Sequence, residues 1–424
     1  MRRTLRPLPL LIPLALVAGC GTDPVDLAPI EALPRELSAA ELAIIDGSNA
    51  FAFDLLRAVR AAQTDSPNTF LSPLSASMAL GMTLNGADGR TWSQMADVLG
   101  FDGLTESQIN DAYRGLIDLL LDLDPRVEFG IGNAIWLDRG TTLLPDFVQR
   151  AQAHFDATTD VLDFSDPGAA DVMNEWVADV TRGRIDELIE QIPAQVVLYL
   201  INAIYFKGDW RDPFDPRRTK RSPFTRADGN TVMVDMMEGE VGYRVLDPGE
   251  PSAARGVELP YGGDAYAAVA LLPPADQSID GFVAGLDAAA WSTLMDRFEA
   301  EAEAEAEDRG QEGTLVYLPK FELEWGDSLN TPLRSLGMVD AFDPGAADLS
   351  RLTGARGLWI DHVIQKTFLK VDEEGTEAAA ATAVAVVESL PPNIAFDRPF
   401  LFAIRERLSG TILFLGVIGD PSGG

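Results

Sequence analysis

Hydrophobic residues recur with the 3.6-residue period of amphipathic helices in the first half of this chain. The runs with this period are residues 50–62, 74–84, 107–123, 145–155 and 167–181. Later apolar runs are shorter and strand-like, and they cover residues 196–206, 265–272, 314–323, 364–371 and 411–417. Helices that come mostly first and strands that come mostly later predict an α+β fold built on a large mixed sheet.

Two of the predicted helices begin with proline after a short polar residue. Ser72 precedes Pro73, and Asp166 precedes Pro167. Proline suits the first helical position because its missing N–H would have no partner there, and a serine or aspartate oxygen can cap the next free amides. We therefore expect Ser72 and Asp166 to be helix caps.

A segment of small side chains lies near the C-terminus, after the charged turn Glu373–Glu374–Gly375. Gly375 can adopt backbone angles that other residues resist, so it is a plausible hinge. Read with the two-residue period of a strand, residues 376–387 have one face without charge: Thr376, Ala378, Ala380, Thr382, Val384 and Val386. The other face carries one charge, Glu377. An alanine-rich helix is the alternative, since alanine has the highest helix propensity.

The N-terminus has the pattern of an export signal. Arg2, Arg3 and Arg6 precede the apolar residues 8–17, which are too few to span a membrane. Val17-Ala18-Gly19-Cys20 resembles the lipobox of bacterial lipoproteins, which implies removal of residues 1–19 and lipidation of Cys20. The alternative is an ordinary signal peptide that leaves one free thiol.

The prolines that follow predict an extended tether over residues 20–40, ahead of a single domain at 41–424. We expect the protein to be exported and anchored by lipid to a cell envelope membrane, on the periplasmic side or the cell surface.

Charge restricts the partners. The formal net charge is -33, which opposes binding to nucleic acid because phosphates would be repelled. One basic cluster stands out, Arg217, Arg218, Lys220 and Arg221, and it is either solvated or a weak exosite. The acidic repeat at residues 299–307 is interpreted as a solvated charge run.

Signals for catalysis are weak. His154 and His362 are the only histidines, and neither has the spacing of a metal site or a catalytic triad. The sequence contains no G-x-S-x-G motif, and no local pattern singles out a pair of carboxylates, although composition leaves such a pair possible. We expect neither enzymatic activity nor a cofactor or metal.

Four segments together resemble the serpin family, in the family's order and at about its spacing. They are residues 68–86 (NTFLSPLSASMALGMTLNG), 202–210 (NAIYFKGDW), 373–382 (EEGTEAAAAT) and 394–404 (IAFDRPFLFAI). The resemblance spans residues 40–421. It implies eight or nine helices, three β-sheets and an exposed reactive-centre loop.

The resemblance also implies a function. The protein would be a single-use inhibitor of serine endopeptidases, with cysteine endopeptidases as a further class, that acts by loop cleavage, covalent trapping of the protease and insertion of the loop into the central sheet. A non-inhibitory serpin that serves as a binding or carrier module is the alternative. We expect a monomer, and the acidic charge opposes activation by glycosaminoglycans.

The resemblance assigns roles to two groups of residues. The hinge comprises Glu373, Glu374, Gly375, Thr376, Glu377, Ala378, Ala379, Ala380, Ala381 and Thr382. The sheet-opening cluster comprises Ser72, Ser75, Asn202, Lys207, Trp210 and Gln365. The resemblance places Ser72, Ser75 and Asn202 in a hydrogen-bonded group under the centre of the sheet, and Lys207 and Trp210 near its upper opening, where Thr376 would first enter. Many serpins carry a histidine where this chain has Gln365. Because glutamine does not titrate, we expect loop insertion to depend only weakly on pH.

The scissile bond follows from counting along the loop, and two counts disagree. Counting forward from Gly375 gives Ser389–Leu390, whereas counting back from Pro399 gives Glu388–Ser389. We favour Glu388–Ser389, with Val387–Glu388 next. A glutamate before the cut would suit a protease with a cationic specificity pocket, whereas Val386 or Val387 would suit an elastase-like pocket.

Overall fold

The structure, a computed structural model, describes residues 28–63, 65–241, 244–247, 253–307, 314–376 and 393–422. This part of the chain contains ten α-helices: α1 (Ala39–Ala62), α2 (Pro73–Leu84), α3 (Gly89–Leu99), α4 (Glu106–Asp122), α5 (Pro145–Phe155), α6 (Ala169–Val180), α7 (Ile279–Gly285), α8 (Ala288–Glu307), α9 (Asn330–Leu336) and α10 (Ser350–Thr353). The count is one above the expected eight or nine. Helix α10 has four residues, too few for any sequence period to reveal.

The strands are β1 (Thr69–Leu71), β2 (Val127–Asp138), β3 (Thr158–Leu162), β4 (Leu198–Asp209), β5 (Lys220–Thr225), β6 (Thr231–Val241), β7 (Val245–Leu246), β8 (Arg255–Tyr261), β9 (Tyr266–Leu272), β10 (Thr314–Pro319), β11 (Phe321–Ser328), β12 (His362–Val371), β13 (Gly375–Thr376), β14 (Asn393–Ala395), β15 (Phe400–Glu406) and β16 (Ile412–Ile418). In the described part of the chain they form three sheets. The predicted α+β class is confirmed.

The large sheet has the order β11-β12-β4-β2-β3, and the short β13 also pairs with β4. A second sheet has the order β1-β16-β15-β9-β8-β7, and a third the order β14-β10-β6-β5. The single apolar run predicted at residues 314–323 is therefore two strands of different sheets. Lys320 separates them, and its N–H donates to the Asp235 carbonyl at 2.7 Å.

Both faces of the large sheet are covered, so its strands are apolar on both sides. Along β4, Leu198, Leu200 and Ile204 face the main core, which also holds α1 and α2. Tyr199, Ile201 and Ala203 face a second core under α6. That helix lies close to the sheet, because a Cβ added to Gly132 would be 2.8 Å from Val180.

The helix starts differ from the predicted caps. Ser72 does precede α2, but its hydroxyl donates to the Leu413 carbonyl at 2.7 Å and makes no cap bond. Helix α6 begins at Ala169 rather than at Pro167, and Asp166 accepts from the Gly168 N–H in the turn before it. Both side chains therefore bond outside the helix that follows them.

The body reaches further toward the N-terminus than the sequence suggested. Helix α1 starts at Ala39 with a capping box between Ser38 and Glu41. Before it, Ile30, Leu33 and Leu37 pack against the main core, and the Ile30 N–H donates to the Gly263 carbonyl at 2.7 Å. In the described ranges, no helix combines the length and the apolar character needed to cross a membrane.

Candidate functional site: a divided sheet and its hinge

The central strands of the large sheet are joined only at one end. β12 and β4 run parallel and pair at five positions, from His362 with Tyr199 to Lys366 with Ala203. Above that point β12 continues along β11 as far as Val371, and β4 continues along β2 as far as Gly208. The two strands do not pair with each other beyond these positions in the described residues, so a further strand could be added between them.

The top of this opening is occupied by the hinge. β13 pairs antiparallel with the end of β4, with Gly375 opposite Asp209 and Thr376 opposite Gly208. The Trp210 N–H donates to the Glu374 carbonyl at 2.8 Å, and the Phe214 N–H donates to the Glu373 carbonyl at 2.7 Å. Two residues of the predicted inserting segment therefore already lie in the sheet.

Glycine is required at both sides of this junction. Gly375 has a φ of 153°, and a Cβ on it would lie 2.3 Å from the Gly208 carbonyl oxygen. A Cβ on Gly208 would lie 2.9 Å from the Tyr261 ring. Because real Cβ contacts are longer, no other residue fits at Gly375 without movement of the backbone, and a larger residue at Gly208 would require the Tyr261 side chain to move.

Thr376 lies in an aromatic seat. Its side chain is 2% exposed, and its hydroxyl is 2.8 Å from the Tyr261 hydroxyl. The Tyr261 ring stacks on Trp210 at 4.4 Å between centroids and meets Phe206 edge-on at 5.0 Å. The Trp210 indole N–H in turn donates to the Asp372 carbonyl at 2.9 Å. We call Gly208, Trp210 and Tyr261 the hinge seat.

Glu373 is buried and paired rather than solvated. Its carboxylate lies 2.6 Å from Lys320 Nζ and accepts from the Thr219 hydroxyl at 2.6 Å. Burial opposes ionisation of this carboxyl, but the hydrogen bonds from Lys320 and Thr219 outweigh it and hold the pKa of Glu373 below its ordinary value. The charged turn that precedes the predicted hinge glycine is thus anchored at its first residue.

The lower end of the opening is closed by a polar network. The Gln365 amide accepts from the Ser72 N–H at 3.0 Å and donates to the Ser72 carbonyl at 2.8 Å. The Ser75 hydroxyl donates to Asn202 Oδ1, and Asn202 Nδ2 donates to Asn133 Oδ1 at 2.8 Å. All these side chains are buried. Helix α2 is therefore tied to β4 and β12 at the height where the two strands still pair.

A comparison with protein-family models identifies the family of this chain, with its hinge, divided sheet and polar network. A family model described as serpin (serine protease inhibitor) matches residues 46–421. The chain belongs to the serpin family.

Relatives and solved structures cover nearly all of this serpin. The human leukocyte elastase inhibitor is 33% identical over 380 residues, which are 88% of this chain and 97% of the relative. Iripin-2 from the tick Ixodes ricinus is 35% identical over 389 residues, or 89% of this chain and 94% of the relative. Among structures, the thermophilic serpin tengpin in its native state has a TM-score of 0.80 at 30% identity, covering 92% of this chain and 97% of tengpin. Thyroxine-binding globulin with thyroxine has a TM-score of 0.77 at 29% identity, covering 89% and 99%.

The expected sheet-opening cluster lies in two separate places of the serpin. Ser72, Ser75, Asn202 and Gln365 form the lower network, as described above. Lys207 and Trp210 lie at the upper end of β4, beside Thr376, which is where the resemblance placed them. The Lys207 ammonium is 3.6 Å from Glu128 on the neighbouring strand.

Other predicted residues have structural partners. The basic cluster is paired with carboxylates: Arg217 with Asp215, Arg218 and Lys220 with Glu238, and Arg221 with Asp235. His362 stacks on Tyr199, and His154 Nδ1 lies 3.6 Å from Asp111. Within the described ranges, no group of three or more histidine, cysteine or acidic side chains is placed to hold a metal ion.

Several predictions fall on residues outside the described ranges. They concern the second part of the hinge, Glu377, Ala378, Ala379, Ala380, Ala381 and Thr382, the cleavage candidates Val387, Glu388, Ser389 and Leu390, and Cys20. These assignments remain predictions.

Sequence reasoning missed the partners that hold the hinge. Tyr261 ends β8, while Lys320 and Thr219 lie in connections between strands. They come from three distant parts of the chain, so no local period could reveal that they meet at the hinge. The only local signal was the run Glu373-Glu374, whose charges suggest exposure. Because a buried carboxylate needs a partner, burial of Glu373 implies a basic residue beside it, but the sequence does not identify that residue.

Proposed function

We propose that this protein is a suicide-substrate inhibitor of serine endopeptidases that traps its target by inserting the cleaved loop into the large sheet. The observation that carries the proposal is the divided sheet with the hinge already paired at its top. A strand added to this opening gains hydrogen bonds along both edges. The added strand supplies the free energy that deforms the attached protease, so the uncut fold has to be metastable.

The register of the existing pairs supports an ordered insertion. Extending Thr376 opposite Gly208 by the same antiparallel register sets Glu377 opposite Lys207 and Ala380 opposite Ile204. Only at Ala381, opposite Ala203, would the five pairs between β12 and β4 begin to break. Four residues can therefore follow Thr376 before the sheet has to separate.

The same register explains the choice of side chains. Because Thr376 faces the main core, Ala378, Ala380 and Thr382 would follow on that face, and Thr382 would lie opposite Asn202 in the lower network. Small side chains enter a packed core with little rearrangement, and a threonine can join hydrogen bonds there. Glu377, the one charge of residues 376–387, would face the other side at the sheet's upper end.

The test is incubation with a panel of purified serine and cysteine proteases. We expect an SDS-resistant complex of inhibitor and protease, together with a released C-terminal peptide. Cleavage without a complex for every protease would contradict the proposal. The mass of the released peptide identifies the scissile bond, for which we propose Glu388–Ser389 ahead of Val387–Glu388 and Ser389–Leu390.

We also propose that residues 1–19 are a signal peptide and that Cys20 carries lipid, which would anchor the inhibitor to a cell envelope membrane. The support is the sequence of the N-terminus alone, since the relatives named above are animal proteins. Phase partition into detergent tests the proposal. The lipidated protein should enter the detergent phase, and a Cys20→Ser variant should stay in the aqueous phase; equal partition of the two would contradict it.

A binding or carrier role is the second candidate. An open pocket of about 460 Å³ lies between α1, α8 and the turn after β15, with Trp291, Met295 and Arg405 in its wall. Titration with uncharged aromatic ligands, read by tryptophan fluorescence, would reveal such binding. Saturable binding in a protein that forms no protease complex would favour this role over inhibition.

A further inference from the structure

We propose that Tyr261 is a positioning residue for loop insertion: its hydroxyl selects the hydroxyl of Thr376 and so sets the register in which the loop enters the sheet. This inference rests on the proposed function. It goes beyond that function because it assigns the choice of register to one pair of hydroxyl groups.

Register is the critical property of an inserting strand. Side chains alternate between faces, so a slip of one residue moves every side chain to the opposite side of the sheet. Such a slip would turn Glu377 toward Phe206 and Ile204, which face the main core. An unpaired carboxylate there would stop insertion. The loop's run of four alanines, residues 378–381, cannot prevent a slip, because neighbouring alanines are interchangeable in packing.

The hinge seat presents the Tyr261 hydroxyl to Thr376 at the point where the loop enters the sheet. Tyr261 is fully buried, and its ring is enclosed by Trp210 and Phe206. Its hydroxyl has the Thr376 hydroxyl as its side-chain partner, at 2.8 Å. Burial holds the pKa of Tyr261 above its ordinary value, so the phenol stays protonated and able to donate. Thr376 is the only hydroxyl residue between Gly375 and Ala381, which makes it the one uncharged side chain there that can bond to this phenol.

A matched set of hydroxyl deletions tests the proposal. Tyr261→Phe and Thr376→Val each remove one hydroxyl and keep the size of the side chain, and a double variant removes both. Thr376→Ser keeps the hydroxyl. The control is Tyr266→Phe, since Tyr266 is also buried, lies 5.8 Å from Phe206 and donates to the Leu120 carbonyl, away from the hinge.

The first measurement is hydrogen exchange of the uncut protein over residues 372–382. We expect faster exchange in Tyr261→Phe and Thr376→Val, and unchanged exchange in Thr376→Ser and Tyr266→Phe. This readout does not need a protease. It therefore decides the role of the hydroxyl pair even if the parent protein forms no covalent complex, an outcome that would overturn the proposed function separately.

The second measurement is the stoichiometry of inhibition, which counts inhibitor molecules consumed per protease trapped. We expect insertion to slow by about fivefold when either hydroxyl is lost, the factor that corresponds to one hydrogen bond of ordinary strength, so more inhibitor is consumed. The double variant should be no worse than either single one. Unchanged exchange and stoichiometry in Tyr261→Phe, effects of equal size in Tyr266→Phe, or additive losses in the double variant would overturn the proposal.

Discussion

The two ends of the opening between β12 and β4 are built from different chemistry. The lower end is closed by buried polar side chains: Gln365 bonds to the backbone of Ser72, and Asn202 bonds to Ser75 and Asn133. The upper end is an aromatic seat that already holds Gly375 and Thr376. An aromatic surface with one hydroxyl can take up small side chains one after another. A polar network whose hydrogen bonds are all made resists separation until other groups replace those bonds. The difference indicates that insertion starts easily and that its later part sets the barrier.

The strongest way to break the upper end is a charge on the inserting face. We expect Thr376→Arg to convert the inhibitor into a substrate and to raise the stoichiometry of inhibition by more than about tenfold, because the guanidinium would be buried against Tyr261 without a partner. Gel analysis of complex against cleaved product measures this. Asn393→Arg adds the same charge at an exposed position beyond the loop and should have no effect. A full yield of complex from Thr376→Arg would contradict the insertion model.

The next largest effect concerns the anchor of the hinge. Glu373→Lys sets two ammonium groups together at Lys320, so we expect the native fold to lose about 2 kcal/mol of its free energy of unfolding. Urea unfolding of the uncut protein measures the loss. Glu175→Lys, a charge reversal at an exposed position of α6, is the control, and the combination of Glu373→Lys with Lys320→Glu should recover much of the stability. An equal loss in the control would exclude a specific role for the pair.

The Glu373 carboxylate also determines the direction in which stability changes with pH. Since the pKa of Glu373 is lower in the folded protein than the ordinary value of 4.5, its contribution to stability is complete above that pH and is lost as the pH falls through the folded pKa. The parent should therefore be destabilised in acid more than Glu373→Gln. Identical acid profiles of the two proteins would contradict the assignment.

A smaller effect tests the extended register. Glu377 is expected opposite Lys207 after insertion, so Lys207→Glu should slow insertion by about two- to fivefold through repulsion across the strands. The double variant with Glu377→Lys restores opposite charges and should recover the rate. Rates of complex formation at low salt measure both. A double variant slower than either single one would indicate a different register.

The smallest effect in the parent protein concerns the lower end. Gln365 carries two hydrogen bonds to the backbone of Ser72 without titrating, so the insertion rate should be nearly flat across neutral pH. Gln365→His should introduce a pH dependence near the usual histidine pKa of about 6.5. An unchanged pH profile in Gln365→His would refute this account of the network.

The sequence was sufficient to predict the candidate site where its residues lie in contiguous segments. Gly375, Thr376, Ser72, Ser75, Asn202 and Gln365 could be named from segments that resemble the serpin family, and the structure brings them to the two ends of one opening; Asn133, the further partner of Asn202, was missed. It was insufficient where the partner comes from elsewhere: Tyr261, Lys320 and Thr219 reach the hinge only through the pairing of three sheets. The prediction of one strand-like run at residues 314–323 was wrong for a related reason, since an apolar pattern does not reveal that the chain leaves one sheet and enters another.

The central claim is that the uncut protein withholds the stability of one sheet strand. It is tested most directly by the thermal unfolding midpoint before and after a single cut between residues 386 and 390. We predict a large rise in the midpoint after the cut, because the freed segment completes the sheet between β4 and β12. An unchanged or lower midpoint in the cut protein, with both fragments still associated, would contradict the account.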